Sequence, residues 1–263
     1  MEWSPTISLA GAVSGFGLAV AALLFKPRNA AQLLLAAGLL LLGGESLCQR
    51  LSFQAVSREG MLLWQSVNGG LAVFIPAVWL SFSLAFARGD PRRHLRQWRP
   101  LILLLAIGLP AVVLPFHNGL VPEANATLPT GNWFFPTPWP AKVLQAGLLV
   151  GAVLMLTNLE WTFRAAVGTS RWRVKYAIIG LALLFGTRIY TSSQALLYSG
   201  TNFQASLLNS ASLFLATLLI AFSFYRSKLA TVDIYPSATA LYKSLTVLIA
   251  GLYLVVVGVL ARL

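Results

Sequence analysis

Charge is scarce in this sequence: only 10% of its 263 residues are Asp, Glu, Lys or Arg, against about 25% in a soluble domain. At 57% apolar residues and a mean hydropathy of +0.76, no stretch between apolar runs is long enough to bury a water-soluble core of its own. Cysteine is nearly absent as well. The single Cys48 excludes an intrachain disulfide and any cysteine-based zinc site, and we expect no metal and no cofactor. Aspartate occurs only at Asp90 and Asp233, both outside the apolar runs, which removes an intramembrane aspartyl protease. Histidine occurs only at His94, in a loop between runs, and at His117, at the outer edge of one, so a serine nucleophile at membrane depth would have no base. Neither a zinc-protease HExxH, a G-x-S-x-G elbow nor a phosphate-binding loop is present. We therefore expect no catalytic activity from this chain.

What the sequence does contain is eight apolar runs, over 7–25, 30–47, 61–87, 100–116, 141–163, 177–198, 206–225 and 241–260, most near the roughly 20 residues a bilayer crossing takes. The expected fold is an all-α polytopic membrane bundle of about eight transmembrane helices: a seven-helix, sensor-like bundle plus one. The first run carries Lys26 and Arg28 after it rather than before it, the reverse of a signal peptide, and reads as an uncleaved span with the N-terminus outside.

Alternating the spans from there sorts the basic residues. Lys26, Arg28, Arg88, Arg92, Arg93, Arg96, Arg99, Arg164, Arg171, Arg173, Lys175, Arg226, Lys228 and Lys243 fall on the inner side, 14 of the 19 Lys and Arg. Arg50, Arg58, Lys142 and Arg262 fall outside, and Arg188 lies within a span. This is the positive-inside pattern, with anionic head groups as partners of the net charge of +12 rather than nucleic acid. A bacterial inner membrane with the N-terminus external is the expected location. An even number of spans that starts outside also ends outside, so a cytoplasmic output would require one more crossing. The end at Leu263, directly after a span, reads as the front part of a longer protein.

Ionisable residues at membrane depth are costly and point to function. Glu45, in Gly43-Gly44-Glu45-Ser46, and Arg188, in Phe185-Gly186-Thr187-Arg188, are expected to pair or to share a polar pocket, as a packing ion pair or as a ligand-responsive one. Glu160 lies nearer an inner end and reads as structural. Tyr190, Thr191, Gln194 and Tyr198 fall on or beside the helical face of Arg188, with Ser192 and Ser193 alongside. Gln65 and Asn68 in the third span and Asn209 in the seventh complete the polar set, which either lines one outward pocket or makes ordinary interhelical hydrogen bonds.

The loop 117–140, with Pro122, Pro129, Pro136, Pro138 and Pro140 after Pro115, adds the aromatics Trp133, Phe134, Phe135 and Trp139. It reads as an interfacial cap or as a lid over that pocket. Gly11-x-x-x-Gly15 and Gly147-x-x-x-Gly151 offer small faces for packing or dimerisation, and Cys48 reads as a buried small residue.

Several ordered segments carry a resemblance: Arg171-Trp172-Arg173-Val174-Lys175-Tyr176, Leu184-Phe185-Gly186-Thr187-Arg188-Ile189-Tyr190, Ser193-Gln194-Ala195-Leu196-Leu197, Val232-Asp233-Ile234-Tyr235-Pro236-Ser237, Ser244-Leu245-Thr246 and Gly251-Leu252-Tyr253-Leu254. Over about 170–260 the chain resembles the PrsK-type sensor histidine kinases of the PEP-CTERM/exosortase system; the first five spans match only in hydropathy.

The resemblance implies a multi-span sensor region followed by a further span, a GAF-type module and a kinase core. That core would signal to a response regulator of exopolysaccharide and protein-sorting genes. This chain departs from the family in having no phosphoacceptor histidine motif and no ATP-binding glycine boxes, so the implied part is the sensory input domain alone, with the kinase core in cis and a homodimer by analogy. Arg188 and Gln194 carry over only as motif positions. In that reading a stimulus at the pocket of Arg188, Glu45 and the 133–139 segment shifts the last spans. The rival is a small transporter or permease. Gly69-Gly70 and Pro76 interrupt the third span as a transporter helix would be interrupted, but the second half holds no matching interruption.

Overall fold

With no water in the hydrocarbon core, a chain this apolar must satisfy its backbone within helices. The structure, a computed structural model, describes residues 4–24, 29–86, 91–119, 134–166 and 169–227. It consists of helices joined by one short ribbon: α1 Ser4–Leu24, α2 Ala30–Gln54, α3 Arg58–Ala72, α4 Ile75–Ala85, α5 Pro91–Gln97, α6 Arg99–Leu103, α7 Leu109–Val113, α8 Trp139–Ala165, α9 Thr169–Leu197 and α10 Phe203–Ser227. Among the described residues, seven segments are long and apolar enough to cross a membrane, α3 with α4 and α6 with α7 each counting as one. The chain is a multi-span membrane protein. The expected eighth span, 241–260, lies outside the described residues, as do the segments of the resemblance beyond 227.

Local chemistry starts several of these helices. Asn29 caps α2 by accepting from the Gln32 amide at 2.8 Å, while the Gln32 side chain accepts from the Asn29 amide at 3.0 Å, a reciprocal capping box. Ser57 caps α3 by accepting from Gly60 N–H at 3.1 Å.

Two spans are not regular. The third breaks at Val73–Phe74 between α3 and α4, just ahead of Pro76, which has no N–H to give to a preceding turn. The fourth contains a widened π turn at Leu104–Gly108, where Leu109 N–H reaches back to the Leu104 carbonyl ahead of Pro110.

Six spans close a ring. α1 packs between α2 and α10, α10 on α9, α9 on α8, α8 on α4 and α4 on α2, while the fourth span rides outside on α4 and α8. Glycines set these distances. A methyl on Gly11 would lie 2.8 Å from the Ser210 carbonyl of α10, and one on Gly15 3.3 Å from Gly43 Cα of α2. Gly147 receives Leu109 of α7, and Gly151 receives the ring of Pro76. Both small-residue motifs are thus used inside the bundle.

The centre is aromatic: Trp79 meets Phe185 edge-on at 5.1 Å and Phe82 at 5.4 Å, in one buried cluster with Leu39, Leu181 and Ile220. At one end, β1 (Phe134–Pro136) pairs antiparallel with β2 (Gly200–Asn202), Phe135 opposite Thr201, and Thr137 N–H donates to Ser199 O at 2.7 Å. Ser199 takes a left-handed φ of 54° to turn the chain there. This ribbon, absent from the sequence expectation, ties the end of the 117–140 loop over the turn between α9 and α10; the end of the bundle it marks is called the ribbon end below.

Candidate functional site

Glu45 lies nine residues before the end of α2 at Gln54, and Arg188 nine residues before the end of α9 at Leu197. Both ends are ribbon ends, so each charge sits about 14 Å of helix below the same surface, at about 1.5 Å per residue. At equal depth the two side chains meet across the ring. Arg188 Nη1 donates to Glu45 Oε1 at 2.8 Å and Nη2 donates to Oε2, a fork-to-fork pair. Only 6% of the Arg188 side chain and 15% of the Glu45 side chain remain exposed.

Around the pair, hydroxyls and amides from five helices bond across interfaces. On α2, Ser46 shares a hydrogen bond of 3.2 Å with Ser210 of α10, whose hydroxyl in turn donates to Gln49 Oε1 at 2.8 Å. One turn further out, Gln65 Nε2 of α3 donates to Ser52 at 2.9 Å. On α9, Thr191 lies 3.3 Å from Asn209 Oδ1 of α10, and Ser192 donates to Gln145 Oε1 of α8 at 2.9 Å. All of these lie in the ribbon half. The buried hydroxyls of Ser81, Ser83, Thr162 and Thr217, toward the other end, instead bond carbonyls of their own helices. The ribbon half thus carries a layer of polar bonds between helices, whereas these four hydroxyls toward the other end bond within their own helices.

One acceptor in this layer has no partner: Asn68 Oδ1 is buried without a hydrogen bond. Its position is bracketed on the α2–α3 interface. Gln65, one turn before it, bonds Ser52, and Leu71, three residues after it, covers Gly44 beside Glu45. A buried carbonyl left unmatched costs about 1–3 kcal/mol, so a donor at this point would be favourable.

The structure therefore brings together Glu45, Arg188, Thr191, Gln65, Asn68 and Asn209 in one layer. Gln194 is half-buried on α9 and joins none of these bonds. Tyr190 is a correction: it is 54% exposed, because two residues along a helix turn it about 200° away from Arg188. Trp139 is another. It opens α8 on the outside of the bundle, 51% exposed and edge-on to Phe116 at 4.7 Å, apart from the ion pair. Trp133 lies outside the described residues. Glu160 pairs with Arg164 on its own helix at 2.9 Å from Nε, and Cys48 is a buried cysteine.

Ser46, Gln49, Ser52, Gln145 and Ser210 were missed from the sequence. A signal was there for the first three: with Glu45 they make a polar stripe along α2, at spacings of one, four and seven residues. No group of three or more His, Cys, Asp or Glu able to hold a metal occurs among the described residues.

Comparison with known proteins finds no matching family model, curated protein or solved structure.

Proposed function

We propose that this chain is the membrane-embedded sensory input domain of a two-component histidine kinase of the PrsK type, set in a bacterial inner membrane with its ribbon end outward. The observation that carries this reading is the asymmetry of the bundle. A buried ion pair within an interhelical polar layer fills one half, and the Trp79–Phe82–Phe185 cluster fills the centre. Such an arrangement suits recognition at one face better than passage through the membrane. The basic residues Arg96, Arg99 and Arg164 belong to the opposite end, which supports placing that end in the cytoplasm. The kinase core would lie in cis beyond this chain and act through a response regulator, with a homodimer as the signalling unit.

The rival reading, a small transporter, draws on the break at Val73–Phe74 in the third span. Reading the gene past the codon for Leu263 tests the proposal. A frame that continues into a further span and a kinase core supports it, and ligand-dependent autophosphorylation of the intact protein, with Arg188→Ala as probe, becomes the direct assay. A stop codon at that point overturns the fused-input reading and makes uptake into proteoliposomes the next measurement.

A further inference from the structure

The charge balance of the layer restricts what it can bind. Glu45 and Arg188 neutralise each other at membrane depth, and Glu45 keeps the larger exposed share of the two. A guest carrying one charge could engage one partner only by leaving a net charge in a medium of low dielectric, which is strongly disfavoured. A guest carrying both charges exchanges one ion pair for two: its anionic group takes the guanidinium fork, its cationic group takes the carboxylate, and the layer stays neutral. The unmatched acceptor adds a second condition. Asn68 Oδ1, buried on α3 between the Gln65–Ser52 hydrogen bond and the Leu71–Gly44 contact with α2, calls for an N–H or O–H donor. A primary ammonium bound to Glu45 has further N–H groups to give; a quaternary ammonium has none.

From these two observations we infer that the Glu45–Arg188–Asn68 layer binds a zwitterion with a primary ammonium. Both a free α-amino acid and an ethanolamine phospholipid head group have this chemistry. The inference rests on reading the layer as the sensing site, and it names the class of molecule sensed.

The test uses the full chain in nanodiscs of phosphatidylcholine, whose head group has no N–H. Melting temperature is followed with added glycine, with phosphatidylethanolamine introduced into the disc, and with acetate or methylammonium alone. A saturable rise with glycine identifies a soluble amino acid as the source. A rise with phosphatidylethanolamine only identifies the lipid head group. Acetate and methylammonium are expected to give no rise. Asn68→Leu is expected to weaken the zwitterion at least ten-fold without lowering the melting temperature of the guest-free protein, and the neutral pair Glu45→Gln with Arg188→Gln to abolish the response.

The inference is overturned if neither zwitterion acts, if either single ion acts as strongly, or if Asn68→Leu binds like the wild type. Its failure is separable from that of the sensor reading. Kinase output that responds to some other stimulus while no zwitterion binds would remove the zwitterion and keep the sensor. Zwitterion binding accompanied by uptake into proteoliposomes would do the reverse.

Discussion

Removing one member of the Glu45–Arg188 pair should cost far more than removing both. In Arg188→Gln the carboxylate of Glu45 is left buried at membrane depth, with 15% of its side chain exposed and no cation beside it. Breaking a buried pair in this way costs about 3–5 kcal/mol, and Glu45→Gln should cost about the same by leaving the guanidinium unpaired. Joining the two changes restores neutrality, and although the glutamine of Arg188→Gln is shorter than the arginine it replaces, the double variant should lie within about 1–2 kcal/mol of the wild type, since replacing a buried pair outright is often close to neutral. The implied coupling between the sites is therefore at least about 4 kcal/mol. Reversible unfolding in mixed detergent–lipid micelles, run on the four proteins of the cycle, measures it directly. Ordinary interhelical hydrogen bonds in membranes average about 0.6 kcal/mol in such cycles. A coupling of that size, or single variants that each lose under about 1 kcal/mol, would refute a desolvated ion pair and leave only packing.

Two glycine substitutions should differ in sign. Gly151→Ala puts its methyl 2.5 Å from Pro76 Cβ and should destabilise by about 1–3 kcal/mol, whereas Gly186→Ala meets nothing within 4 Å and should be neutral or stabilising by up to about 1 kcal/mol; melting curves of both decide. Asn68→Leu, by removing an unmatched buried carbonyl, should leave the guest-free protein as stable as the wild type or more so by about 1 kcal/mol in the same unfolding assay. Cys48 is buried, so in intact cells a membrane-impermeant maleimide should leave the wild type unlabelled. The same reagent should label Val56→Cys at the ribbon end and spare Gln97→Cys at the other; labelling only at position 97 would invert the orientation.

Much of the architecture was legible in the sequence because the bilayer leaves few options: an apolar run of about 20 residues must be a helix. The pair was legible for the same reason, since Glu45 and Arg188 are ionisable residues within such runs. Which other residues join them depends on helical phase, and there spacing had to be read more strictly. Tyr190 is only two residues from Arg188 and faces outward, while Ser192, four residues on, is buried and bonded to Gln145. The break in the third span was announced by Gly69-Gly70 and Pro76, and it falls at Val73–Phe74, between the two signals. The ribbon was not legible. Three-residue strands at Phe134–Pro136 and Gly200–Asn202 carry no periodicity of their own and pair across more than sixty residues of chain.

The two halves of the bundle share a helix pair, and this bears on how a signal would travel. α9 meets α2 directly through Arg188 and Glu45 and, one turn deeper, indirectly through Phe185, which meets edge-on Trp79, whose indole in turn fills the space that a methyl on Gly38 would occupy. These are contacts of different kinds at different depths. The aromatic contact tolerates small rotations better than the bidentate ion pair, whose two parallel hydrogen bonds fix its geometry. If a guest takes over the charges, α9 loses its directional tie to α2 at the ribbon end and keeps its packing below, so the helix tilts about Phe185 rather than sliding. Thr191 passes that tilt to α10 through Asn209, and Ser210 of α10 is itself held to Ser46 and Gln49 on α2. α10 is therefore tied to the helices of both partners of the pair, and it runs from there to the opposite end of the bundle, at Ser227. On the proposed reading, differential affinity for the tied and released arrangements at Arg188 is the quantity that sets the response, because a ligand with equal affinity for both would move nothing.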